Sequence, residues 1–304
     1  MKHFAGRLFL AATLLVQPAL AQTTDELTSA IAAVPLTSER SAVLLYVSAA
    51  PPGFIGHAEV MQSMVEQNLI NALALKQDDP ISGIDFSQVT GILSFGHLAD
   101  RVTVLFGAPG FAGSAPNTLQ RREFEKRDIA GWTVFGLRED GHVRLAVDDP
   151  DPFSAPLGRA QRLAISDTTV VHTSSWPRME AVLSAMATPP DEPSLWSATL
   201  EGTLRVLQGK APASIMGAQN VSLAQPASTP KSPVSMLTLA PGATGTTTIV
   251  ASPYDDAAAA EQNATALTQH HGSSLMPGAT ASIAVEEVAP HSIGMVTIVE
   301  PAAQ

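Results

Sequence analysis

VTGILSFGHLADRVTVLF, residues Val89 to Phe106, is two apolar runs around a polar break, and its reading decides the fold. Val89 to Phe95 and Arg101 to Phe106 have the β-branched and aromatic content of strands, and Gly96 to Asp100 has turn chemistry. A short break between two such runs predicts a hairpin, and therefore an antiparallel pair.

The same signature recurs along the chain. Trp132 to Leu137 and His142 to Val147 flank Glu139-Asp140-Gly141. Arg162 to Ile165 and Thr169 to Thr173 flank Ser166-Asp167. Val234 to Leu239 and Thr246 to Ala251 are joined through Pro241-Gly242, and Ile283 to Val288 and Ile293 to Val299 make a last pair. Ser41 to Ala49 is a continuous apolar run before Pro51-Pro52-Gly53, which fits a strand buried on both faces.

Helical spacing appears between these pairs. Gly56 to Leu75 carries Met61, Met64, Val65, Leu69, Ala72 and Leu73 on one stripe. Asn117 to Asp128 reads as a charged helix in which Arg121 and Glu125, and Glu123 and Arg127, are four apart. Ser175 caps a helix with Met179, Val182, Leu183 and Met186 inward; Ser194 caps another with Trp196, Leu200, Leu204 and Leu207 inward, closed at Gly209. Asp255 opens a helix running to about His271.

Hairpins outnumber crossover helices, so the expected class is α+β: mostly antiparallel sheets with helices packed on one face. An echo of strand, break, polar helix and strand links Arg101 to Leu137 with Thr246 to Val288, and raises the expectation of a two-lobed internal duplication. The expected organisation is a leader over 1–21, an α+β domain over 22–210, a linker or long loop over 211–233 with part strand character from Ser214 to Val221, and a ββαββ unit over 234–304.

The start of the chain has the pattern of a secretory leader. Lys2 and Arg7 precede an apolar stretch from Leu8 to Val16, and Ala19-Leu20-Ala21 is a small-x-small cleavage site before Gln22. The apolar stretch is shorter than the roughly 20 residues that span a bilayer. The expected address is the periplasm, or the medium if secreted, as a released soluble protein with no membrane span after cleavage.

Composition narrows the chemistry. The chain has no cysteine, which removes thiol nucleophiles, thiolate metal sites, disulfides and thiol-linked lipid. Formal charge is −11, and losing Lys2 and Arg7 takes it further negative, which argues against nucleic acid as a partner. Hydrophobic residues at 45% against 15% charged describe a chain able to build a packed core.

The candidate sites are few. Asp148, Asp149 and Asp151 concentrate carboxylate oxygens that suit calcium, although Asp-Pro pairs are also ordinary turn residues. His270 and His271 are the other metal candidates, but neighbouring positions on a helix point about 100° apart and a helical zinc pair needs a spacing of about four. Ser228-Thr-Pro-Lys231 matches S-x-x-K, yet Pro230 breaks the helix that the motif needs, and its companion motifs are missing. Arg121, Arg122, Lys126 and Arg127 form a basic cluster interleaved with acids, as on a solvated face. The methionines coincide with Leu and Val stripes, as core packing requires.

The sequence therefore reads as an exported, non-enzymatic binding or envelope-assembly module without a cofactor, whose partner is another envelope protein or a small ligand. A periplasmic hydrolase would instead bring a serine or carboxylate to a histidine. A transporter's solute-binding protein would show two lobes around a hinge and a deep cleft.

Overall fold

In the structure, a computed structural model, the described residues are 24–34, 43–48, 64–96, 101–142, 151–153, 160–188, 191–219, 232–242, 245–272, 275 and 277–302. The leader with Ala19, Ala21 and Gln22 lies outside them, as do Ser228 to Lys231 and the strand expected from His142 to Val147 beyond His142 itself.

The Val89 to Phe106 reading holds: β4 (Val89–Phe95) and β5 (Val102–Gly107) pair antiparallel, with Leu93 opposite Val104. In chain order the elements are α1 (residues 24–32), β1 (Val43–Ser48), α2 (Gln67–Leu75), β2 (Asp78–Asp79), β3 (Ile84–Asp85), β4, β5, α3 (Ala115–Arg121), β6 (Glu125–Ile129), β7 (Trp132–Leu137), β8 (Gln161–Ile165) and β9 (Thr169–Thr173). Then come α4 (Trp176–Ala187), α5 (Leu195–Leu207), β10 (Ser214–Gln219), β11 (Val234–Gly242), β12 (Gly245–Tyr254), α6 (Ala257–Gly272), β13 (Thr280–Val288) and β14 (His291–Pro301). All strands except the small β2–β3 pair join one 12-stranded sheet, ordered β13-β14-β12-β11-β10-β1-β4-β5-β9-β8-β7-β6. Every pairing is antiparallel. The expected α+β class with an antiparallel sheet is the observed one.

Helices cover both faces of that sheet rather than one. Leu44, Tyr46, Leu93, Phe95 and Val104 pack under α1, α4 and α5 through Leu27, Ile31, Met179, Leu183 and Trp196. Leu45, Val47, Ile92 and Leu105 pack on the other face under α2 and α3 through Leu69, Leu73 and Leu119. The reason is in the strands themselves. The four central residues of β1 are all buried, and a strand apolar on both sides needs cover on both.

The sheet has an approximate two-fold arrangement about its β1–β10 seam. Outward one way run β1, β4, β5, β9 and β8; outward the other way run β10, β11, β12, β14 and β13. α3 follows β5 and α6 follows β12, so the echoed strand–helix steps occupy matching places. The strands after them do not match: β13 corresponds in position to β8, while β6 and β7 extend the first half beyond it. The stretch expected as linker contributes β10, which pairs with both β1 and β11, so strands before and after it share one sheet.

One cross-strand row makes the organisation concrete. Ile283, Val296, Val250, Leu237, Met216, Leu45, Ser94, Thr103, His172, Leu163, Phe135 and Lys126 sit opposite one another in turn across all twelve strands. The row begins on an exposed isoleucine, turns polar at Ser94, Thr103 and His172, and ends on an exposed lysine.

The charged helix expected from Asn117 to Asp128 stops at Arg121. Glu123 takes φ 62°, buried Phe124 turns into the core, and Glu125 to Ile129 becomes edge strand β6. Glu125 therefore meets Arg127 two residues on, at 2.8 Å, instead of Arg121 four back. β7 is flanked by β6, joined to it through Ala130-Gly131, and by β8. Ser175 and Ser194 cap their helices as expected, accepting from the backbone N–H of Arg178 and Ser197.

Candidate functional site

The polar stretch of the long row lies under α2 and the short segment Asp151–Phe153. α2 presents Leu69 and Leu73 to the sheet, which leaves Asn68 and Asn71 on its outer flank. Lys76 ends the helix in the left-handed region at φ 48°, and the chain turns at once into β2 and β3. Asp79 holds that turn by accepting from the N–H of Ser82 at 2.8 Å and from its hydroxyl. Gly83 is required there: it has φ 73°, and a Cβ would lie 2.8 Å from the Ala115 backbone.

Asp151 links these parts. Its side chain is fully buried, and it pairs with Arg122 and accepts from the N–H of Phe153 at 2.9 Å. Arg122 also donates to the Ile81 carbonyl at 3.1 Å, and Asn68 donates to the Asp151 carbonyl at 3.3 Å. Asp151 and Arg122 between them thus tie α2, the β2–β3 turn and the end of α3 together. The outcome is a groove of about 260 Å³ whose wall includes Asn68, Asn71, Gln77, Asp79, Leu75 and Pro152. Leu75 is 64% exposed there.

Beneath the groove, Phe153 lies 5.0 Å from the His172 ring. The residue is partly exposed as a whole, but its Nε2 is shut off from solvent and has no hydrogen-bond partner among the described residues. Burial, and then the Arg101 charge, hold its imidazolium form far below the usual range, with the pKa pushed down to about 3. Arg101 faces Glu66 at 3.4 Å. Gln161 shares this face, two residues from Leu163; it is 1% exposed, and neither amide atom has a partner among the described residues.

The unfolded chain takes up a proton on His172 near pH 6.5, whereas the folded chain resists until about pH 3. Stability from neutral His172 is complete above pH 6.5 and is lost as pH falls from there. In urea unfolding at pH 7.5 and pH 5, His172→Leu is expected to lose less stability on acidification than the parent. Equal losses in the two chains would remove His172 from the acid response.

Asp148 and Asp149 lie outside the described residues, and the Asp151 carboxylate is occupied by Arg122 and the Phe153 N–H. His270 and His271 fall in the last turn of α6, and their side chains are outside the description. Among the described residues no three His, Asp or Glu side chains converge as a metal shell. The basic cluster is divided: Arg122 pairs with Asp151, Arg127 covers the Trp176 ring at 3.9 Å, and Lys126 stands on the edge strand. Met64 and Met179 are buried in the core, as read from their stripes.

Sequence reasoning passed over Asn68, Asn71, Gln77 and Gln161. Their one signal is a polar residue where the local apolar period asks for a hydrophobe, or a pair of amides three apart on the outer flank of an apolar stripe. The groove wall itself offers carboxamide hydrogen-bonding groups. Asp79 is tied into its own turn, and Ser94 on the same row donates to the Met64 carbonyl at 2.5 Å, two strands away from His172.

No family model and no curated protein matches the chain. Among solved structures, crystal form I of TP0453 aligns over 88% of this chain and 92% of its own at 11% identity and a TM-score of 0.38. Crystal form IV aligns over 87% and 91% at 13% identity and the same score. Likeness at that level assigns no function. No described helix is long and apolar enough to cross a membrane.

Proposed function

We propose that this chain is exported to the bacterial periplasm, released by cleavage after Ala21, and acts there as a non-catalytic binding module of the envelope. The groove between α2 and Pro152 takes a neutral polar ligand, either a small molecule or a polar segment of an envelope partner. The observation that carries this reading is the groove's chemistry. Its hydrogen-bonding groups are the carboxamides of Asn68, which also donates to the Asp151 carbonyl at 3.3 Å, of Asn71, whose oxygen also accepts from Gln67 at 3.1 Å, and of Gln77; they donate and accept but do not transfer protons. The one carboxylate on its wall, Asp79, is engaged by Ser82. Exposed Leu75 beside these amides supplies an apolar contact, a combination that ligand sites use to fix both affinity and orientation.

The test is an NMR titration of the side-chain amides with neutral peptidoglycan glycan fragments and with uncharged polar peptides. At least one series is expected to shift the Asn68, Asn71 and Gln77 amide signals together. Gln77→Ala should then weaken binding by roughly three- to tenfold, the value of one hydrogen bond of about 0.5–1.5 kcal/mol. Unmoved amide signals with every member of both series would overturn the reading, and so would product formation from any of them.

A further inference from the structure

The two ends of the sheet are finished differently. β6 closes one end with Glu125, Lys126, Arg127 and Asp128 all exposed, the charge pattern that keeps an edge from pairing. β13 closes the other with Thr-Ala-Ser-Ile-Ala-Val over 280–285, and its register with β14 is unbroken through nine residues, with no bulge, proline or lysine. Ile283, near the middle of this strand, is 43% exposed. In the two-fold arrangement, the counterpart of β13 is β8, and β8 is covered antiparallel by β7. The first half thus supplies from its own chain the strand that the second half lacks among the described residues.

We propose that β13 pairs with β13 of a second copy, antiparallel and centred on Ile283, to join the two sheets. That register sets Ile283 against Ile283 on one face and buries the exposed side chain of each. It places Val285 opposite Ala281 and Ala284 opposite Ser282. Charge selects the same occupant. The two acids of the strand fall opposite Thr280 and Ala279 of the second copy, not opposite each other. Both are also engaged within their own chain, Glu286 by Arg205 at 3.8 Å and Glu287 by the Ser292 hydroxyl at 3.0 Å.

The absence of native cysteine makes a clean test. Directly opposed residues in an antiparallel pair have Cβ atoms about 4.5–5.5 Å apart, close to what a disulfide spans. Under mild oxidation, Ile283→Cys of the mature chain is expected to cross-link into a covalent dimer. Glu287→Cys, whose two copies would stand far apart along the joined strands, is expected to stay monomeric. Sedimentation equilibrium of the unmodified chain should give twice the protomer mass, and Ile283→Lys should give the single mass with unchanged circular dichroism. A single mass for the unmodified chain up to its highest soluble concentration would overturn the proposal. Cross-linking at Glu287→Cys as efficient as at Ile283→Cys would do the same, as would a double mass that survives Ile283→Lys.

Discussion

Trp196→Ala is expected to lower stability by about 3–5 kcal/mol, the cost of removing a large aromatic from a core that refills incompletely. Trp196 is fully buried on α5 and belongs to the cluster that joins α1, α4 and α5 to the sheet. Its seat is shaped by a glycine: a Cβ at Gly217 of β10 would lie 2.4 Å from the indole ring. β10 forms the seam between the two halves of the sheet, so a cavity there loosens both at once. Gly217→Ala should cost about 1–3 kcal/mol by overpacking the same contact. Trp196→Phe should cost less than half of the alanine value, because the indole N–H has no hydrogen-bond partner to lose among the described residues. Urea unfolding measures all three. A phenylalanine variant as unstable as the alanine variant would show that ring area is not what Trp196 contributes.

Asp151→Ala is expected to cost about 3 kcal/mol, within the range for removing one partner of a buried ion pair. The change leaves the Arg122 guanidinium facing a void and deprives the Phe153 N–H of its acceptor. Asp151→Asn keeps an oxygen for Phe153 and should cost less. Arg122→Met combined with Asp151→Ala should recover part of the loss, since no uncompensated charge remains. The effect extends beyond stability. Pro152 and Phe153 are held by this residue, so the groove wall and the packing on His172 should loosen together. Denaturation midpoints for the double-mutant cycle, with the Gln77 side-chain amide signal as a local probe, separate the two consequences. Additive costs in the cycle would mean that the Arg122 pairing is not what holds the segment.

The parts of the fold legible in the sequence were those set by local chemistry. The Val89 to Phe106 hairpin, the Gln161–Thr173 hairpin and the last two strand pairs follow from apolar runs bounded by turn residues. Ser175 and Ser194 announced α4 and α5 because a cap is a contact between residues three apart. The misreadings came where distant contacts outweigh local preference. Glu123 to Asp128 has helical charge spacing, but burial of Phe124 and pairing with β7 made it a strand. Helices were expected on one face, although β1 itself was already apolar on both.

The candidate site was less legible still. Asp151 was visible as part of an acid-rich loop, whose local pattern suggests a cation ligand or a turn. Arg122, 29 residues away, gives it a buried ion pair instead. Asn68, Gln77 and His172 carry no motif at all.

By itself, the sequence determined the class of the protein. Turn chemistry and apolar period are local, so they specify hairpins, caps and an α+β antiparallel architecture, and the lack of cysteine removes thiol chemistry without any structure. Only the tertiary structure decided the order of the strands, the seam between β1 and β10, the row from Ile283 to Lys126 and the groove over Asp151. Each of these is a contact between residues far apart in the chain. Such contacts form where burial and charge pairing outweigh what neighbouring residues prefer, and neither can be counted until the chain has closed on itself.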